Sequence, residues 1–168
     1  MCAGTATLNR VGNLDEMFPD DATLVEFGRA AWAGVLAESC LKKACRNLTP
    51  KAEHHQAKRD WLRAGRAVLA DADDRASAVE VAEWLDSVEA ALDERDRMLH
   101  GDRTQIVWSN GDGDPIPGAL GILNRRRTGI HVTEITPGSL RIVADRITRS
   151  IDGWERIHDL AKQLGGWL

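Results

Sequence analysis

The chain has 168 residues, 43% of them apolar, and a formal net charge of −4. That is enough sequence for one domain with a real core; no run approaches the roughly 20 apolar residues of a membrane helix, and the charge balance gives no global basic field to draw it onto nucleic acid. Three irregularly spaced cysteines make no disulfide framework, and the N-terminal stretch ending in Asp20-Asp21 shows no secretory pattern, so a soluble, cytoplasmic protein is expected.

Residues 1–20 carry little periodicity and read as a loose N-terminal arm ahead of a single domain over 21–168. From about 21 to 47, Leu24, Phe27, Ala31, Trp32, Val35, Leu36 and Cys40 recur at three-to-four spacing. This predicts an amphipathic helix with that stripe turned inward. Thr49-Pro50 reads as a restart, with Thr as the cap and Pro in the first turn. The next helix carries Trp61, Leu62, Gly65, Val68 and Leu69 on one side and fades in Asp71-Ala72-Asp73-Asp74.

The third helix, Arg75 to His100, has the clearest pattern. Ala78, Val81, Leu85, Val88, Leu92 and Leu99 step by three and four, flanked by Trp84, Ala91 and Met98. Gly101 stands where a left-handed closing residue is wanted. Beyond it, 105–108 reads as a short strand and 109–118 as a Gly/Asp/Pro loop. Residues 119–124 and 129–135 read as two strands joined by a turn containing Arg125, Arg126 and Arg127. Thr136-Pro137 opens the last helix, striped by Leu140, Val143, Ala144, Ile147, Ile151, Trp154, Leu160 and Leu164. The expected fold class is mainly α: four helices, with a small β-hairpin or short sheet (about 104–135) inserted before the last.

The stripe of the third helix, continued by its own rule, reaches position 95, which is Arg95 rather than an apolar residue. A guanidinium cannot shed its charge, so a dry core must supply a partner or leave a costly unpaired ion. A wet cleft or a dimer interface lined with acceptors would meet the same need. One turn on, Asp96 and His100 share a helix face at i,i+4 spacing, where a carboxylate can orient an imidazole. Together these side chains suit phosphodiester cleavage without a metal. Histidine can take the proton of a ribose 2′-hydroxyl or deliver one to the departing 5′-oxygen, and a forked, permanent cation can hold phosphate oxygens as charge builds. The products would be a cyclic phosphate and a free 5′-hydroxyl.

The run Glu94-Arg95-Asp96-Arg97-Met98-Leu99-His100-Gly101 resembles the Glu-Arg-Asn-x-x-x-His-Gly form of the Arg-x(4–6)-His motif of the HEPN superfamily. The resemblance implies an antiparallel four-helix bundle and a homodimer with the motif at its interface. It also implies metal-independent ribonuclease activity in a toxin–antitoxin or phage-defence system, with RNA as substrate and a cognate antitoxin as partner. Arg95 and His100 carry over as the catalytic pair, and Asp96, where the family more often has Asn, as the polar residue that supports them. No metal or other cofactor is implied.

Two plainer readings of the same residues stand beside it. A histidine in a last helical turn is favourable against the helix dipole, and an arginine near a helix end can carry its charge to water. The motif can also serve a catalytically silent dimerisation or adaptor module that binds a protein or nucleotide.

Other constellations are weaker. Asn110-Gly111-Asp112-Gly113-Asp114 starts like a calcium loop, but Pro115 and Gly121 stand where the template needs Gly and Glu. Cys40 and Cys45 with His54 and His55 lack zinc spacing. His158 is expected on the buried side of the last helix and His131 at the surface of a strand. Arg125, Arg126 and Arg127, with Arg103 just past His100, are candidates for gripping RNA phosphates.

Overall fold

The computed structural model describes residues 6–8, 21–49, 57–100, 102–109, 115–126 and 129–166, and of these it describes the backbone alone at 6–8, 100, 102–109, 115–126 and 129–134. The chain is mainly α. In order it runs β1 (Ala6–Leu8), α1 (Asp21–Leu48), α2 (Lys58–Asp71), α3 (Arg75–His100), β2 (Asp102–Ser109), β3 (Pro115–Arg126), β4 (Gly129–Ile135), α4 (Pro137–Ser150) and α5 (Trp154–Leu164). No described helix is long and apolar enough to cross a membrane.

The helix α1 is where expected, but its faces are exchanged. Leu24, Val25, Trp32, Val35 and Leu36 are exposed, while Ala30, Ala33, Ala37, Leu41, Ala44, Cys45 and Leu48 are buried. The inward face is built mainly from small side chains, joined by Leu41 and Leu48 in its C-terminal half, and most of the bulky ones nearer the N-terminus are left outside. Thr49 does not open α2. Its hydroxyl donates to the Cys45 carbonyl at 2.8 Å, so it closes α1, and α2 begins later, at Lys58.

In α3, Ala78, Val81, Leu85, Val88 and Leu92 are buried as their spacing predicts, with Trp84, Ala91 and Met98 beside them. Asp74 caps this helix: its carboxylate accepts from the Ser77 backbone N–H and hydroxyl, which holds its pKa below the ordinary value. Thr136 does cap α4, in a reciprocal box. The Ser139 N–H donates to Thr136 Oγ1 and the Thr136 N–H donates to Ser139 Oγ.

The single last helix of the sequence reading is two helices. The chain turns at 151–153, with Gly153 at φ 73°, a left-handed conformation that glycine adopts freely. The break shifts the helical phase. In α5 the buried residues are Ile157 and Ala161, and Leu160 and Leu164 are only half-buried.

The chain divides into two compact units, Met1–Ala31 with Glu94–Val143 and Trp32–Asp93 with Ala144–Leu168. In the first, the strands pair antiparallel in the order β1-β2-β3-β4. The ladder of β2 and β3 runs from Asp102↔Leu123 to Ser109↔Pro115, with a register shift between Ile106 and Trp108. That of β3 and β4 runs from Leu120↔Ile135 to Arg126↔Gly129.

The same unit holds a buried carboxylate. Glu26 is 3% exposed; its Oε1 accepts from Arg141 Nε at 3.1 Å and Nη2 at 2.7 Å, and from Arg29 Nη1 at 3.3 Å. Its Oε2 meets no donor among the described residues. Removing Arg141 leaves this buried charge to one exposed arginine. We expect Arg141→Ala to lower stability by about 2 kcal/mol, within the range of a charged hydrogen bond, and the further change Glu26→Gln to recover part of it. Urea denaturation of the two variants checks this.

In the second unit, side chains tie the helices pairwise. Arg66 of α2 donates to Asp86 and Glu89 of α3, and Arg156 of α5 to Glu80 of α3. Trp84 and Trp154 meet with ring centroids 5.6 Å apart and planes tilted by 36°. Gly65 of α2 lies against α1: a Cβ there would stand 3.3 Å from Leu48 Cδ1.

Candidate functional site

Arg95 and Asp96 sit in the last turns of α3, in the first unit. Arg95 is 7% exposed, so the apolar stripe does carry a buried guanidinium. Its answer is the neighbouring residue. Arg95 Nε and Nη2 both donate to Asp96 Oδ1, at 2.9 and 2.5 Å. Asp96 itself is more open, with its side chain 36% exposed. Oδ1 of Asp96, the residue expected to orient His100, accepts from Arg95. His100 is the last residue of the helix, and its side chain lies outside the described residues.

Chain geometry explains why a charge is tolerated here. In the stripe of α3 the positions before 95 are filled by Val81, Leu85, Val88 and Leu92, all fully buried. The arginine comes at the end of the helix, where a partly exposed carboxylate can compensate it. The two hydrogen bonds to Asp96 Oδ1 hold the guanidinium in one orientation.

The strands bring further arginines to this end of the unit. Asp102, two residues past His100, pairs with Leu123 of β3. Arg125 and Arg126 follow Leu123 on the same strand and pair with Ile130 and Gly129, so their backbones lie within about 10 Å of that point at about 3.3 Å per residue. They belong to the ladder rather than to the turn. Arg103 pairs with Ile122, and Arg127 lies outside the described residues. Backbone register therefore gathers Arg103, Arg125 and Arg126 at the sheet end nearest the C-terminus of α3.

The second unit contributes a cleft of about 330 Å³ lined by Lys43, Trp154, Glu155, His158 and Asp159. His158, expected to be buried, is half-buried. Its ring meets the edge of Trp154 at 5.3 Å and its Nδ1 lies 3.3 Å from Asp159 Oδ1. Among the described residues no three His, Cys, Asp or Glu side chains are grouped to hold a metal ion. His54, His55 and the loop 110–114 lie outside the described residues, as does the side chain of His131.

Burial pushes the Cys45 thiol up to about 12, outweighing the opposing pull of Arg66, while Glu89 adds to it. A thiol that keeps its proton more tightly when folded stabilises the fold below the unfolded thiol's pKa of about 8.5, and that contribution falls as pH climbs toward the folded value. We expect the wild type to lose stability relative to Cys45→Ala by about 1.4 kcal/mol per pH unit above roughly 8.5. Urea titrations on the alkaline side check the slope; equal slopes would place Cys45 in contact with water.

In comparisons with known proteins, no family model, curated protein or solved structure matches this chain.

Proposed function

We propose that the chain is a HEPN-like, metal-independent endoribonuclease, acting as a homodimer in the cytoplasm as the toxin or effector of a defence or toxin–antitoxin module. In this reading the helices form an antiparallel four-helix bundle with the short sheet inserted before α4. His100 is the acid and base, Arg95 stabilises the phosphorane-like transition state, and Asp96 supports them. Arg103, Arg125, Arg126 and Arg127 grip the RNA backbone. The observation that carries the reading is the buried Arg95 held by Asp96. A fixed cation at the end of a helix that closes on histidine is what stabilising a developing phosphate charge calls for.

The same observation favours a second reading, a silent binding module. An arginine 7% exposed and already hydrogen-bonded is a structural group unless substrate can reach it. Incubation of a mixed RNA pool with wild type and His100→Ala in EDTA separates the two. Cyclic-phosphate and 5′-hydroxyl ends from the wild type alone support the ribonuclease. RNA that stays intact with the wild type moves the assignment to the binding module.

A further inference from the structure

The cleft of the second unit is built from two helices. Lys43 stands on α1, and Trp154, Glu155, His158 and Asp159 stand on α5; all five belong to that one unit. At i,i+4 spacing Trp154 and His158 form one row along α5, and Glu155 and Asp159 form the next. An aromatic row therefore runs beside an acidic one. Lys43 shares its helix face with Asn47, four residues on, and the Asn47 side chain donates to the His158 carbonyl at 3.3 Å. That bond ties the lysine's side of α1 to the turn of α5 that lines the cleft.

The apolar wall is braced by its neighbours. Trp154 is half-buried. The buried Trp84 meets it with ring centroids 5.6 Å apart, and the His158 ring meets it edge-on at 5.3 Å. His158 in turn has Nδ1 3.3 Å from Asp159 Oδ1.

The charges are not braced in this way. Lys43 and Glu155 are both exposed, line the same cleft and carry opposite signs. Even so, among the described residues neither side chain makes a hydrogen bond or an ion pair. A molecule that bridges them needs an anionic end for the lysine and a cationic end for the glutamate, each gaining a charge-assisted hydrogen bond. It also needs an apolar part to cover Trp154. A phosphate ester would meet one cation against two carboxylates, and a simple organic cation would meet the lysine. The volume of about 330 Å³ stands at the small end of the roughly 300–1,000 Å³ of small-molecule sites, which favours a small ligand.

We propose that this cleft binds a free α-amino acid with an apolar side chain, taken as its zwitterion. Its carboxylate lies on Lys43, its ammonium on Glu155, and its side chain against Trp154. The proposal does not rest on the ribonuclease reading, since binding is measured without RNA.

Calorimetric titration of the full chain with L-leucine and with L-phenylalanine, to about 10 mM, is expected to show one site with a Kd of about 1 mM or tighter. Leucinamide lacks the carboxylate and N-acetyl-leucine lacks the ammonium. Each is expected to bind about tenfold or more weakly than L-leucine, as the loss of one charged hydrogen bond implies. Lys43→Gln should bring L-leucine down to the level of leucinamide while binding leucinamide no more weakly than the wild type does. Glu155→Gln should do the same for L-leucine and N-acetyl-leucine. Both side chains are exposed, and circular dichroism checks that the variants stay helical. Absence of binding by both amino acids would overturn the proposal. So would blocked forms that bind as well as L-leucine, or variants that bind it as the wild type does.

Discussion

On the proposed ribonuclease reading, His100→Ala is expected to lower the rate of RNA cleavage by about 10²–10⁴-fold, the span that a positioned general acid or base contributes. His100 is the last residue of α3, two turns beyond Leu92 of the buried stripe, so the melting temperature should hardly move. Arg95 behaves differently. It is buried and bonded to Asp96, so Arg95→Ala removes packing as well as charge, and activity and stability should fall together. Arg95→Lys separates the two effects. Lysine keeps the charge but cannot place two N–H groups on one carboxylate oxygen in the same fixed plane. A drop of about 10²–10³-fold is expected, as for removal of one oriented donor from a site of developing charge. Rates from a fluorogenic RNA, with thermal melts of the same samples, check the pattern. Cleavage by His100→Ala at the wild-type rate would end the ribonuclease reading outright.

A methyl group at Gly165 is expected to be the most damaging small change to the fold. Gly165 has φ −81°, an ordinary value, so its backbone conformation does not demand glycine. Space does. A Cβ there would lie 1.8 Å from the Asn47 carbonyl oxygen and 2.9 Å from its carbon, and backbone atoms cannot rotate away. The side chain of Asn47 meanwhile donates to the His158 carbonyl at 3.3 Å, so the ends of α1 and α5 would have to part. Gly165→Ala should cost about 3 kcal/mol, the upper end of ordinary overpacking, and lower Tm by about 6–12 °C for a chain of this size. Calorimetry of the variant measures it, and an unchanged Tm would mean that the two ends do not touch.

The sequence shows most plainly what repeats. In α3 the large apolar residues and the helical period agree, so Val81, Leu85, Val88 and Leu92 announce their own burial. In α1 they disagree. Size points to Leu24, Trp32, Val35 and Leu36, but the buried positions are mostly alanines, and an alanine carries too weak a hydrophobic signal to compete in a pattern. Glu26 is obscured for the same reason, since it falls in phase with Ala30, Ala33 and Ala37 on the inner face. The division of the last helix is readable in Asp152-Gly153, a turn pair that the three-to-four apolar spacing runs straight across. At the candidate site, the spacing exposed Arg95 as an anomaly. Which acceptor it would choose was not readable, because Asp96 is adjacent in sequence and neighbours on a helix do not normally face one another.

The small side chains inside α1 also restrict how this protein can change over generations. At Ala30, Ala37 and Ala44, all fully enclosed, nearly every substitution adds volume, and the only smaller choice, glycine, weakens the helix. Variation is therefore admitted almost entirely from the outer side, where size is unconstrained by the subunit's own packing. A lineage can alter that outer side freely while the inner row stands still, so a new surface can arise on α1 without any redesign of the core beneath.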